Sequence, residues 1–201
     1  RISVENDAFI LVEWDKHPQN SRYPITHFRI QQSEDGLSFT NQSDWISQNH
    51  WESGKLQVDL HSYHYRLIVQ DSCGDRSLPG MASRSILLRT ELDSNEKPVL
   101  TWSSYLGWET KPEYYRIERI EKDQWIHLDD VDPNDSFYTD LHSPGFGLEH
   151  YCYRITAYRF TDKGELISHS NISCAPVLSW IYVPNAFTPN GDQLNEGFNA
   201  Q

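Results

Sequence analysis

Nine histidines, 29 acidic residues and three cysteines are the groups in these 201 residues best suited to chemistry. A hydrolytic metal centre needs imidazoles that converge. His61 and His64 lie three apart in a stretch that reads as strand, so their side chains leave opposite faces. No His-Glu-x-x-His run occurs, and no metal site is expected. Acid–base hydrolysis needs a facing pair of carboxylates. Glu109 and Glu113 flank a Thr-Lys-Pro turn, and Asp129, Asp130 and Asp132 precede Pro133-Asn134-Asp135. These are turn-forming residues and a solvated acidic edge. There is no Gly-x-Ser-x-Gly elbow and no glycine-rich phosphate loop. The reading is a chain with no catalytic residues, no cofactor and no enzymatic activity.

Cysteine chemistry is more informative. Cys73, Cys152 and Cys174 make an odd count, read as one pair and one orphan. The midpoint of Cys152 and Cys174 is Lys163, inside the turn-like Asp162-Lys163-Gly164-Glu165. A hairpin folded there sets the two cysteines opposite each other and predicts a cross-strand disulfide; two free thiols are the alternative. Such a loop closure stabilises by about 3 kcal/mol in the chain-entropy picture and implies an oxidising compartment.

Aromatic side chains can act by stacking on ligands. Trp102-Ser103-Ser104-Tyr105-Leu106-Gly107-Trp108 places Tyr105 and Trp108 in a loop, where they could contact a sugar or a partner protein. The plainer alternative is that they cover the edge of the core.

The elements that would position these groups follow from a repeat. Trp14, Leu60, Tyr63 and Tyr65-Arg66 recur 88 residues later as Trp102, Leu148, Tyr151 and Tyr153-Arg154. Phe28-Arg29-Ile30 recurs after 87 as Tyr115-Arg116-Ile117. Each copy alternates polar and apolar residues at period 2. Predicted strands in the first copy are 8–14, 26–31, 56–60, 63–69 and 86–88. In the second they are 99–102, 114–120, 125–128, 136–140, 151–160 and 166–173. No sustained helical stripe interrupts them. The fold class is therefore all-β, two tandem β-sandwiches. The pattern resembles fibronectin type III modules: Trp on the second strand, aromatic-x-Ile on the third, and Leu60 followed by Tyr65. Tyr65 and Tyr153 are read as the tyrosine corners of the two copies. Polar residues 89–98, ending in Pro98, set the division into modules at 1–92 and 93–178.

A net charge of −12 argues against nucleic acid and against anionic lipid as partners. No apolar run nears the roughly 20 residues of a membrane span.

Residues 179–201 differ in kind. Val183-Pro184-Asn185-Ala186-Phe187-Thr188-Pro189-Asn190-Gly191-Asp192, with Asn195 and Phe198, is a proline-stiffened extended segment, a tight turn and an apolar end. A proline-stiffened linker or a calcium loop would use similar residues, although the spacing is not that of an EF-hand. The ordered run resembles the opening of the gliding-motility-associated C-terminal domain of the Bacteroidota, the type B signal of the type IX secretion system. Gln193 and Glu196 depart from its usual Gly and Asp. The family's domain is longer than this stretch, so 179–201 is expected to be its beginning. The resemblance implies an exported, adhesin-like surface protein outside the outer membrane. Its partners would be the type IX translocon and its outer-membrane shuttle and attachment proteins, with other surface proteins or glycans as ligands. The alternatives are an accessory carbohydrate- or protein-binding module and the tail of a secreted hydrolase.

Overall fold

The computed structural model describes residues 1–15, 23–142 and 150–176. The described residues form strands, turns and irregular loops, with no helix. The first sandwich contains β1 (Ile2–Glu5), β2 (Phe9–Glu13), β3 (Ile25–Ser33), β4 (Thr40–Asn41), β5 (His50–Glu52), β6 (His64–Asp71) and β7 (Ser83–Arg84). One of its sheets runs β1-β2-β5 and the other β4-β3-β6-β7. The second contains β8 (Leu88–Leu92), β9 (Pro98–Trp102), β10 (Tyr114–Glu121), β11 (Gln124–Val131), β12 (Phe137–Thr139), β13 (His150–Thr161), β14 (Gly164–His169) and β15 (Ser173–Pro176). Its sheets run β8-β9-β12 and β11-β10-β13-β14, with β15 also on β13. All pairings are antiparallel. The same strand order thus occurs twice, as the sequence repeat requires, in a fibronectin type III-like sandwich.

Alternation places the cores. In β10, Tyr115, Ile117 and Arg119 are buried while Tyr114, Arg116 and Glu118 face outward; in β13, Tyr153, Ile155 and Ala157 point inward. Tight two-residue turns with positive φ close two of the hairpins. Asn6 and Asp7 at 50° and 51° join β1 to β2, and Lys122 and Asp123 at 50° and 62° join β10 to β11.

The two sandwiches are not beads on a string. One apolar cluster extends from Ile2, Ile10 and Ile30 through Tyr105 to Tyr115, Ile117 and Ile155. Strand β1 lies against β14, and the Ser168 hydroxyl donates to the Ile2 carbonyl. The Ser168–His169 end of β14, an outer strand of the larger second sheet, is thereby covered by the first sandwich, which shields part of that edge.

Several strand expectations are corrected. Residues 56–60 form a turn, with the Leu60 amide donating to the Gln57 carbonyl at 3.1 Å. Only Val58 of that stretch is fully buried, so its alternation was that of a loop plugging the core. Segment 86–88 does not close the first sandwich. Leu88 begins β8, which pairs with β9 in register Leu88↔Trp102, so a boundary at 92/93 falls inside a hairpin. Segment 166–173 breaks at 170–172 into β14 and β15.

The tyrosine corner also moves by two residues. The Tyr63 hydroxyl accepts the Gln57 amide at 3.3 Å, which is the backbone tie of a corner. The Tyr65 hydroxyl donates to Gln32 Oε1 and that of Tyr153 to Asp140 Oδ2, each at 2.8 Å. Both are core tyrosines that reach side chains instead.

Candidate functional site: the seam between the sandwiches

Four short stretches meet at the seam: β1, the loop after β9, the segment joining β7 to β8, and the β14–β15 break. In the loop, Tyr105 turns inward and is only 3% exposed. Its hydroxyl accepts the Ile2 amide at 3.0 Å, and its own amide donates to the Tyr115 hydroxyl at 2.7 Å. Burial raises its phenol pKa to about 12, so it remains a neutral hydrogen-bonding group. Trp108 is half-buried, packs on the core and sits 4.4 Å from the Tyr105 ring centroid. Gly107 is required by this packing: a Cβ there would lie 2.3 Å from the Tyr105 hydroxyl.

The predicted role of Tyr105 as an exposed ligand contact is therefore corrected. A hydroxyl satisfied by a backbone amide of the other sandwich, on a ring shielded from solvent, cannot stack on a sugar. Trp108 shares that interior packing, and its indole N–H is enclosed without a hydrogen-bond partner.

Around Tyr105 the seam is polar and specific. The Arg84 guanidinium donates to the Ser104 carbonyl at 2.7 Å, and the Leu87 amide to the Ser103 hydroxyl at 2.9 Å. The His169 amide donates to the Ser3 hydroxyl at 3.0 Å, and the Ile172 amide to Asp7 Oδ1 at 2.7 Å. Asn171, 1% exposed, accepts the Leu88 amide at 2.7 Å and donates to the Leu88 carbonyl at 3.0 Å. A cleft of about 600 Å³ opens beside these contacts, with Asp7, Lys55, Gln57, Glu91 and Asn171 in its lining. Burial raises the Asp7 pKa, against the lowering effect of the Ile172 amide.

His169 stands at the rim, with Nδ1 3.0 Å from the Thr156 hydroxyl. Burial, with the Arg154 charge second, pushes its pKa down to about 4. Among the described residues no group of three or more His, Cys, Asp or Glu side chains could hold a metal ion.

Cys152 and Cys174 form the expected disulfide, joined across paired positions of β13 and β15. The β13–β14 ladder is centred between Asp162 and Lys163, and the β14–β15 break inserts one residue that shifts the β13–β15 ladder onto the cysteines. Cys73 is free and exposed, in a turn where Asp71 Oδ1 accepts the Cys73 and Asp75 amides. The motif from Pro184 to Phe198 lies outside the described residues.

Two constellations escaped the sequence reading. Arg119, 5% exposed, pairs with buried Asp140 and with Glu121 inside the second sandwich. Its counterpart in the first sandwich is Gln32, 87 residues earlier, so only the repeat alignment could have exposed it. The other is a set of arginines stacked on aromatic rings over the outer sheet faces.

No protein-family description matches the sequence, and no curated protein matches it. Similar solved structures include the FN1–FN3 domains of chicken CNTN1, at 17% identity over 94% of this chain and 68% of that one, with a TM-score of 0.31. Another is a two fibronectin type III domain segment of chicken tenascin, at 11% identity over 88% of this chain and 96% of that one, with a TM-score of 0.32. Likenesses this low add nothing to the twice-repeated strand order, which identifies the architecture unaided: two fibronectin type III-like sandwiches, one of them closed by a disulfide.

Proposed function

We propose that this chain is a non-catalytic part of an exported, adhesin-like surface protein, carried across the outer membrane by a type IX secretion system. The observation that carries the reading is the ordered run Val183 to Asp192 with Asn195 and Phe198, which resembles the type B signal. The translocon and its outer-membrane shuttle and attachment proteins are the partners that read it. The disulfide supports an oxidising location, as expected after passage into the periplasm. The joined sandwiches then act as a stiff support for whatever they display.

Surface exposure tests the proposal. In a bacterium with this machinery, the protein should be cleaved by protease added outside intact cells. It should be protected, in the periplasm, when the translocon is deleted. External cleavage that persists after deletion overturns the proposal.

A further inference from the structure

The internal repeat lets one sandwich serve as the reference for the other. In the second sandwich, Arg116 and Arg154 face outward over aromatic rings. Arg116 lies 4.6 Å from the Tyr158 centroid and pairs with Asp130 at 2.9 Å. Arg154 lies 4.2 Å from the Trp125 centroid and pairs with Glu118 at 2.9 Å. Each guanidinium lies over a ring and is neutralised by a carboxylate.

The first sandwich keeps both arginines at the equivalent positions, as Arg29 and Arg66. Arg29 lies 4.5 Å from the Trp45 centroid and Arg66 lies 3.9 Å from that of Phe39. A third, Arg76 from the β6–β7 connection, approaches the same Trp45 ring at 5.1 Å. The carboxylates have gone. Glu118 is replaced by Gln31, whose Oε1 accepts from Arg66 Nε at 2.8 Å. Among the described residues, no carboxylate lies within ion-pair distance of Arg29, Arg66 or Arg76. Asp71, close in sequence to Arg76, is engaged by the Cys73 and Asp75 amides. In a chain of net charge −12, three arginines without ion pairs gather over one sheet face.

We propose that this outer face of β3 and β6 binds an acidic polysaccharide, through carboxylate or sulfate groups docking on Arg29, Arg66 and Arg76. The site goes beyond secretion and does not depend on it. Guanidinium groups held over rings lose little freedom on binding and offer paired donors to an oxyanion. The β3–β6 ladder already pairs its backbone, so this face cannot capture a peptide by adding a strand. An extended chain with repeated anions and hydroxyls fits an open row of side-chain donors.

The test uses the full 201-residue protein, its two-sandwich fold intact, with immobilised polygalacturonate, dextran sulfate, uncharged dextran and polyglutamate. Binding to polygalacturonate, dextran sulfate or both, weakened by salt, with none to dextran, is the expected result. The tighter of the two anionic polysaccharides identifies the anion. Gln31→Glu restores the counter-ion that the second sandwich tolerates at this position and should weaken binding tenfold or more without lowering thermal stability. Arg76→Gln, which changes an exposed side chain and keeps the backbone bridge of that residue to Gln70, should do the same. Wild-type affinity in both variants overturns the proposal. So does a lack of binding to either acidic polysaccharide, or tighter binding to polyglutamate, which would assign the face to an acidic protein. Secretion plays no part in the assay, so failure here leaves the export reading untouched.

Discussion

The Tyr105 hydroxyl accepts the Ile2 amide at 3.0 Å, joining residues 103 positions apart, one in each sandwich. Around this bond a loop aromatic becomes the centre of a continuous core, and the first strand becomes cover for part of the edge of the second sandwich. Removing the hydroxyl isolates a buried amide. Tyr105→Phe should cost about 1–3 kcal/mol in denaturant unfolding and raise hydrogen exchange at Ile2. Gly107→Ala should cost a similar amount by driving a methyl into the same ring. Unchanged stability in both variants would show that the Tyr105 contact contributes nothing.

Reduction tests the hairpin staple. Breaking Cys152–Cys174, with a sequence separation of 22, should lower stability by about 3 kcal/mol. The native protein should take up one equivalent of thiol reagent, at Cys73. Uptake of three equivalents without reductant would contradict the pairing.

Acid should loosen the rim of the seam. His169 has its folded pKa lowered from 6.5 to about 4 by burial and by Arg154. The unfolded chain therefore binds more protons between these values. Stability is fully present above about pH 6.5 and falls as pH drops towards 4, by roughly 2–3 kcal/mol for a shift of this size. His64 is lowered in the same direction, by burial and then by Arg84, so it adds to the slope. His169→Gln should flatten most of the loss between pH 7 and 5 in thermal unfolding, leaving the part due to His64.

Core polarity can be exchanged between the repeats. Asp140→Asn should destabilise by about 3–5 kcal/mol, because Arg119 then keeps only Glu121 as a counter-ion. The first sandwich solves the same position with Gln32 and Ser53, beside a Tyr65 equivalent to Tyr153. Arg119→Gln combined with Asp140→Ser should therefore recover part of that loss in urea unfolding. A double variant less stable than Asp140→Asn would show that the two sandwiches do not share this geometry.

The repeat, the all-β class and the disulfide could all be read from spacing, because strand periodicity and hairpin symmetry are local. The features that could not be read depend on contacts between distant residues. Ser3 is polar, yet it is fully buried because the second sandwich covers its face of β1. Tyr105 read as an exposed loop residue because Ile2 belongs to the other copy. Tyr63 and Tyr65 have the same side-chain type and differ by two positions, so only the hydroxyl's partner distinguishes the corner. The Arg119–Asp140 pair carried no local signal, because Asp140 follows a different strand, 21 residues away. The freed arginines were legible in principle: aligning Gln31 with Glu118 shows the missing carboxylate without any coordinates.

The most direct test of the export account changes the signal and leaves the sandwiches intact. Phe187→Ala and Phe198→Ala would be introduced together into the protein expressed in a bacterium with a type IX system. The account predicts accumulation in the periplasm, folded, with Cys152–Cys174 formed and only Cys73 reactive. Delivery to the cell surface at the wild-type level would contradict it.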